Sequence, residues 1–130
     1  MRQVFHAELE SISDQLVDMT RLARSAMARA TTALLDADLH LAEDVIAGDR
    51  QLDLSRERLD ALAVDVLARQ QPVATDLRIV VTALRMSADL ERMGDLARHV
   101  AKVARLRYPS SAVHAPLRAH VLCVSGRLSF

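Results

Sequence analysis

Two pairs of acidic side chains share a spacing that could bind a cation. Asp49 and Asp53 are four residues apart, and Glu91 and Asp95 repeat that interval later in the chain. Residues four apart lie on one face of an α-helix, so each pair would present its carboxylates together. Carboxylate oxygens are ligands for hard cations such as Mg²⁺, Ca²⁺, Mn²⁺ and oxidised iron. The spacing therefore makes Asp49, Asp53, Glu91 and Asp95 candidate ligands of a metal ion.

Three long amphipathic segments would have to position these carboxylates. Apolar residues recur at alternating four- and three-residue steps over about residues 4–36, 39–70 and 75–107, a pattern typical of helices with one buried face. The chain is poor in aromatic residues, glycine and proline, which also favours an all-α fold. The joins are so short that consecutive helices should be antiparallel neighbours. We predict an elongated antiparallel three-helix bundle.

In the third segment, two of the carboxylates fall on the predicted inward face. That face would be formed by Leu77, Val81, Leu84, Ala88, Glu91 and Asp95. Gly94 lies beside the carboxylates in mid-helix, where glycine is about 1 kcal/mol less favourable than alanine. Acidic and glycine residues at this place lower the stability of the helix, which indicates a functional reason for them.

The two acidic pairs also fall at matched heights. The second and third helices meet near residue 72, and level residues of an antiparallel hairpin lie equally far from its turn. Asp49 and Asp95 are equidistant from residue 72, as are Asp53 and Glu91. We therefore expect the four carboxylates to converge. At this height the first helix would present Ala23, Ala26 and Met27, whose small or flexible side chains leave space.

Converging carboxylates raise one another's pKa unless a positive charge lies among them. One candidate for that charge is a bound cation. The other is an ion-pair network with Arg56, Arg92 and Arg98, which would fix the register of the helices without any ligand. Both interpretations stay open at this point. Gly48 and Gly94, each directly before one of the aspartates, favour a site because a missing side chain gives a ligand access to the backbone.

The remaining sequence disfavours other kinds of site. Basic and acidic residues number 17 each, so no net charge favours nucleic acid or a membrane surface as a partner. The chain has no glycine-rich phosphate loop and no Glu-x-x-His pair of the di-iron enzymes, so we do not expect an enzyme. His99 follows Asp95 by one turn and could form a metal pair with it, but a histidine at the edge of the buried face is the commoner case.

Neither targeting nor redox chemistry is indicated. The N-terminal residues lack the apolar core of a signal peptide, and no uncharged run approaches the roughly 18 residues of a spanning helix. Cys123 is the single cysteine, so no disulfide can form within the chain. We expect a cytoplasmic protein that does not insert into a membrane.

The residues around Gly94 resemble the signature of a known family. The stretch from Leu84 to Asp95 is similar to the motif of the PhoU family, regulators of phosphate-specific transport. Two upstream stretches, Asp76-Leu77-Arg78 and residues 45–53, are similar to it as well. The resemblance covers about residues 1–107 and is strongest for members of the actinobacterial, mycobacterial type.

The resemblance implies a regulatory function without catalysis. PhoU proteins are cytoplasmic, all-helical and commonly dimeric, and they contain two similar three-helix repeats. Their acidic-xxx-Asp motifs bind multinuclear iron or zinc clusters in some members, which implies Asp49, Asp53, Glu91 and Asp95 as ligands here; Mg²⁺ or Mn²⁺ would also suit the carboxylates. The family is thought to couple the phosphate ABC transporter to a sensor histidine kinase. It would hold phosphate-starvation signalling, and indirectly transcription, off when phosphate is plentiful.

The likeness extends over one repeat of the family fold. We assign residues 1–108 to a PhoU-like three-helix repeat and expect the second repeat to be missing. Residues 109–130 do not resemble the family and show an apolar patch at 121–124 without a sustained helical period. We therefore expect an irregular C-terminal tail, which truncation or a frameshift would explain.

Overall fold

Three long helices dominate the computed structural model, which describes the backbone of residues 2–129 and the side chains of residues 2–126. They are α1 (Arg2–Asp36), α2 (Leu39–Gln70) and α3 (Ala74–Arg107). With 35, 32 and 34 residues, each spans roughly 50 Å at 1.5 Å per residue. Every pair of these helices is in contact, and no strand occurs among the described residues. The prediction of an all-α, antiparallel three-helix bundle is confirmed.

Short joins reverse the chain between the helices. Asp38 caps α2, because its Oδ1 accepts the backbone N–H of Leu41 at 3.0 Å. At the other end of α2, Gln71 adopts a left-handed conformation with φ 44°, and Pro72 follows it. A left-handed residue and a proline after a helix are both common ways to end it. The positions of these helix ends determine which residues of α2 and α3 lie opposite each other, including the acidic ones.

The buried face of α3 consists mostly of small residues and differs from the predicted one. It is formed by Val80, Ala83, Ser87, Leu90, Gly94, Ala97, Ala101 and Ala104. The predicted face was therefore wrong by one residue: Leu77 is 40% exposed, and Val81 and Ala88 are half-buried. Because α3 packs against two helices at once, small residues lie at the centre and larger ones flank them. Glu91 and Asp95 consequently lie at the half-buried edge of α3.

The two glycines that precede aspartates have different surroundings. A Cβ added to Gly94 would overlap Cδ2 of Leu52 on α2 and lie 3.3 Å from Oδ1 of Asp49. Gly94 thus allows α2 and α3 to approach closely at the height of the acidic residues. A Cβ added to Gly48 would meet nothing within 4 Å. The close-approach argument therefore applies to Gly94 alone.

Alanine at these two positions should shift stability in opposite directions. At exposed Gly48, alanine removes the helix penalty of glycine, so we expect a gain of about 1 kcal/mol. At Gly94 the same gain is opposed by an overpacking cost of about 1–3 kcal/mol, because Leu52 is buried and must move, so we expect a net loss of up to about 2 kcal/mol. Urea unfolding of Gly48→Ala and Gly94→Ala measures both. A Gly94→Ala variant as stable as Gly48→Ala would contradict the close packing.

The C-terminal tail is helical, so the prediction of an irregular tail was wrong. One 3₁₀ turn (Ala115–Leu117) leads into α4 (Arg118–Ser129), which packs against α1. The guanidinium of Arg118 donates to the carbonyl oxygen of Leu35 at 3.0 Å and forms an ion pair with Asp36. A helix of 12 residues is marginal by itself, so α4 depends on this packing and not on a strong sequence period.

An apolar groove of about 580 Å³ lies between α4 and the bundle. Met27, Val100, Val121 and Val124 are among the residues that line it. Within the apolar patch at residues 121–124, Val121 and Val124 thus face the groove, whereas Leu122 is 50% exposed. Among the helices that the structure describes, none combines the length and the apolar character that crossing a membrane requires.

Candidate metal centre

Three acidic side chains converge where α2 faces α3. Asp49 and Asp53 project from successive turns of α2, and Asp95 projects from α3. One carboxylate oxygen from each lies within 4.8 Å of the other two. Asp49 is only 7% exposed, whereas Asp53 and Asp95 are half-buried. The structure therefore brings together three of the four residues that the spacing selects.

The fourth residue, Glu91, is held by an arginine. Its Oε2 lies 2.6 Å from Nη1 of Arg56, a short charge-assisted hydrogen bond. Arg56 also pairs with Asp60, one turn further along α2, at 3.4 Å. The hydroxyl of the buried Ser87 donates to the same Asp60 at 3.1 Å. Glu91 thus belongs to a neighbouring ion-pair cluster and lies outside the group of three.

Arg98 supplies positive charge within the group of three. Its Nη1 lies 3.2 Å from Oδ2 of Asp49, and its Nη2 lies 3.7 Å from Oδ1 of Asp95. The contact thus joins α2 to α3. Arg92, the other arginine considered from the sequence, is exposed and forms no ion pair within residues 2–126. Arg56 and Arg98 are therefore the two arginines that partly neutralise the acidic residues.

The group of three and the arginine beside it contain polar atoms without hydrogen-bond partners. Oδ1 of Asp49 and Nε of Arg98 are both buried and make no hydrogen bond within the described residues. A buried polar atom left unpaired costs about 1–3 kcal/mol. The ion pairs therefore leave this part of the interface incompletely satisfied.

The carboxylates of α2 are shifted toward their neutral form. Burial raises the pKa of Asp49, and the charge of Arg98 opposes this effect while Asp95 and Glu91 add to it. Burial also raises the pKa of Asp53, and repulsion from Asp49, Glu91 and Asp95 raises it further. The positive charge present does not compensate for burial and mutual repulsion.

Neutralising Asp53 should stabilise the protein when no cation is bound. An aspartate with a raised pKa contributes stability below its unfolded value of about 3.8 and loses it as pH rises through the folded value. We therefore expect Asp53→Asn to melt a few degrees above the wild type at pH 7 with a chelator present, and this gain should shrink toward pH 4. Thermal melting followed by circular dichroism measures it. Asp14→Asn, at an exposed position of α1, is the control, and an Asp53→Asn variant that melts below it would contradict the repulsion.

The donor set of the group fits one hard cation. All donors are carboxylate oxygens, which suit Mg²⁺, Mn²⁺, Ca²⁺ or oxidised iron, whereas structural zinc sites are rich in cysteine and histidine. His99 is exposed and lines the groove beneath α4, and it is not part of the group. Oδ1 of Asp49, which is buried and has no hydrogen-bond partner among the described residues, is available to such an ion. Asp49, Asp53 and Asp95 would hold the cation.

Sequence reasoning missed the cluster beside the group. Asp60 and Ser87 were not selected, although Asp60 follows Arg56 by four residues on α2, a spacing that favours an ion pair. No pattern in the sequence indicates that Ser87 reaches Asp60 across the interface.

Comparison with known proteins gives a consistent assignment. A family model described as the PhoU domain matches residues 16–104, which include both acidic pairs. The phosphate-specific transport system accessory protein PhoU homolog 2 of Mycobacterium tuberculosis is 49% identical over 113 residues, covering 87% of this chain and 53% of the relative. Homolog 1 of Mycobacterium leprae is 49% identical over 109 residues, covering 84% of this chain and 49% of the relative.

A further relative has a lower sequence identity to this chain. The phosphate-specific transport system accessory protein PhoU of Escherichia coli K12 is 36% identical over 113 residues, which cover 87% of this chain and 46% of the relative. The chain spans about half the length of the curated relatives that it matches. The family model covers more than half of the chain, and the relatives share over a third of their aligned residues with it. The resemblance found in the sequence is thus confirmed, and this chain belongs to the PhoU family.

Proposed function

We propose that this chain is a regulatory accessory protein of phosphate uptake and phosphate-starvation signalling. It would act as a negative regulator in the cytoplasm, coupling the phosphate ABC transporter to a sensor histidine kinase and so affecting transcription indirectly. The observation that carries the proposal is the PhoU-domain match over residues 16–104. The relatives are named as accessory proteins of the phosphate-specific transport system, which supports the transport part of the proposal.

The proposed action is binding without catalysis. The acidic group contains carboxylates and an arginine, and no histidine or cysteine belongs to it. Family membership supports a regulatory role for such a bundle. A homodimer would present two copies of the bundle, each with its acidic group, to the transporter and the kinase.

We propose that the acidic group binds a cation as part of this regulation. Asp49, Asp53 and Asp95 would ligate one ion, and Glu91 would be recruited to a multinuclear cluster only if its ion pair with Arg56 opened. The oxygen donors favour iron, manganese or magnesium over zinc. A bound cation would supply the charge compensation that the carboxylates lack and would join α2 to α3.

A phosphate-starvation reporter in cells that lack their full-length PhoU protein tests the regulatory proposal. We expect expression of this chain to restore repression of the reporter at high phosphate, because the chain contains the residues that the family model matches. An Asp49→Asn/Asp95→Asn double variant should repress less. A reporter that stays fully induced while the folded chain accumulates in the cells would contradict the proposal.

A second candidate function is a structural helical module without a ligand. The contacts of Arg98 with Asp49 and Asp95, and of Arg56 with Glu91, favour it, because they join α2 to α3 without any cation. In that case Asp49→Asn should change the melting temperature but not the metal content of the purified protein. Elemental analysis after purification without chelators separates the two candidates, since the regulatory proposal predicts bound metal in the wild type and less in the variant.

A further inference from the structure

Arg98 lies where a cation would lie in the acidic group. Its guanidinium contacts Asp49 at 3.2 Å and Asp95 at 3.7 Å, and these aspartates are two of the three side chains whose oxygens converge. The charge of Lys102 also lowers the pKa of Asp49, but Lys102 forms no ion pair with this aspartate among the described contacts. The arginine is therefore the positive group in direct contact with the candidate ligands.

The arginine satisfies these carboxylates incompletely. Bidentate arginine–carboxylate pairs form two parallel hydrogen bonds of about 2.7–2.9 Å. Here the longer contact exceeds hydrogen-bonding distance, Nε of Arg98 and Oδ1 of Asp49 have no partner, and Asp53 receives no ion pair within residues 2–126. A small cation could contact one oxygen of each of the three aspartates, whereas the planar guanidinium contacts only Asp49 and Asp95.

The arginine also has a route out of the group. Its side chain is 34% exposed, although its Nε is buried, so the guanidinium can turn toward solvent without unfolding α3. A divalent cation and a guanidinium at the same carboxylates would repel each other strongly at this distance. Cation and arginine should therefore alternate at Asp49 and Asp95.

We propose that Arg98 is a resident counter-charge that competes with a divalent cation for Asp49 and Asp95 and so sets the cation affinity of this group. The inference rests on the cation site proposed above. Arg98 stabilises the cation-free bundle and lowers the affinity of the group for the ion. Removing its charge should have the opposite effect on each property.

A Mn²⁺ titration of the purified chain tests this competition. In Arg98→Gln we expect Mn²⁺ to bind at least about tenfold more tightly than in the wild type, because the competing charge is gone. With a chelator present, the same variant should melt below the wild type, because Asp49 loses its partner. Arg92→Gln, which removes an exposed arginine of α3 that forms no ion pair within residues 2–126, should leave both values unchanged.

The outcomes separate this inference from the cation site itself. Equal Mn²⁺ affinity in Arg98→Gln and the wild type would overturn the competition while leaving the site intact. Absence of Mn²⁺ binding in both proteins would overturn the site and the competition together. Should Arg98→Gln fail to fold, Arg98→Met also removes the charge and keeps a long, flexible side chain for packing. An unchanged Mn²⁺ affinity in that variant would overturn the proposal, and a rise would support it.

Discussion

Replacing Asp49 and Asp95 with asparagine should abolish the stabilisation of this bundle by a divalent cation. A cation that binds only the folded chain adds about 2.7 kcal/mol at a concentration of about 100 times its dissociation constant, which is roughly 10 °C in melting temperature for a chain of this size. The double variant lacks a ligand on each of the two helices that the ion would join. We therefore expect Mn²⁺ to raise the melting temperature of the wild type and not that of Asp49→Asn/Asp95→Asn.

The control variant for this experiment must remove the same number of negative charges. Asp14→Asn/Asp44→Asn also removes two aspartates, from exposed positions on α1 and α2 outside the acidic group. It should respond to Mn²⁺ as the wild type does. Equal Mn²⁺ shifts in both double variants would show that the ion acts through general charge screening, in contradiction to a specific site.

Truncating Leu59 to alanine should have the largest effect on folding. Leu59 is fully buried and belongs to the central cluster with Met19, Leu52 and Leu90, contributed by all three helices. Removing a leucine side chain from such a place costs about 2–5 kcal/mol, through lost burial and the cavity left behind. Small domains have a total stability of about 5–15 kcal/mol, so this loss is a large part of it. Urea unfolding of Leu59→Ala measures the loss.

A matched substitution on the same helix shows whether burial is the cause. Leu54 also lies on α2 but is 40% exposed, so Leu54→Ala should cost well under half as much as Leu59→Ala. Similar losses in both variants would mean that α2 packs with a different face inward, and would also remove the basis for placing Asp49 and Asp53 opposite α3.

The arrangement of the helices could be predicted because it follows from local rules. Apolar periodicity defines a helix face without knowledge of its partners, and a proline at position 72 marks the turn. Equal distances from that turn then predict that Asp49 and Asp95 meet, and in the structure Arg98 contacts both. These inferences need only helix geometry and chain connectivity.

The details of the site depend on competition between neighbours, which periodicity does not show. Glu91 and Asp53 are equally far along the sequence from residue 72, yet the carboxylate of Glu91 pairs with Arg56 and lies outside the group of three. Likewise, Gly94 was selected for its closeness to a carboxylate, whereas its missing side chain makes room for Leu52. A long charged side chain can reach several partners, and small differences in distance decide which of them it pairs with.

The tail shows a second reason why a sequence pattern can be insufficient. Residues 118–129 have too few turns to display a convincing helical period, and their helix forms against the surface that α1 provides. Tertiary contacts of Arg118 with the end of α1 fix its start. Short segments of this kind depend on packing more than on their own composition.

The binding of Mn²⁺ to the purified chain, followed by the electron paramagnetic resonance signal of the free ion, decides whether Asp49, Asp53 and Asp95 form one cation site. We predict one tightly bound Mn²⁺ per wild-type chain and much weaker binding in Asp53→Asn, with Asp14→Asn unchanged. A free-ion signal that equals the total Mn²⁺ added, in the wild type and both variants alike, would contradict the cation site.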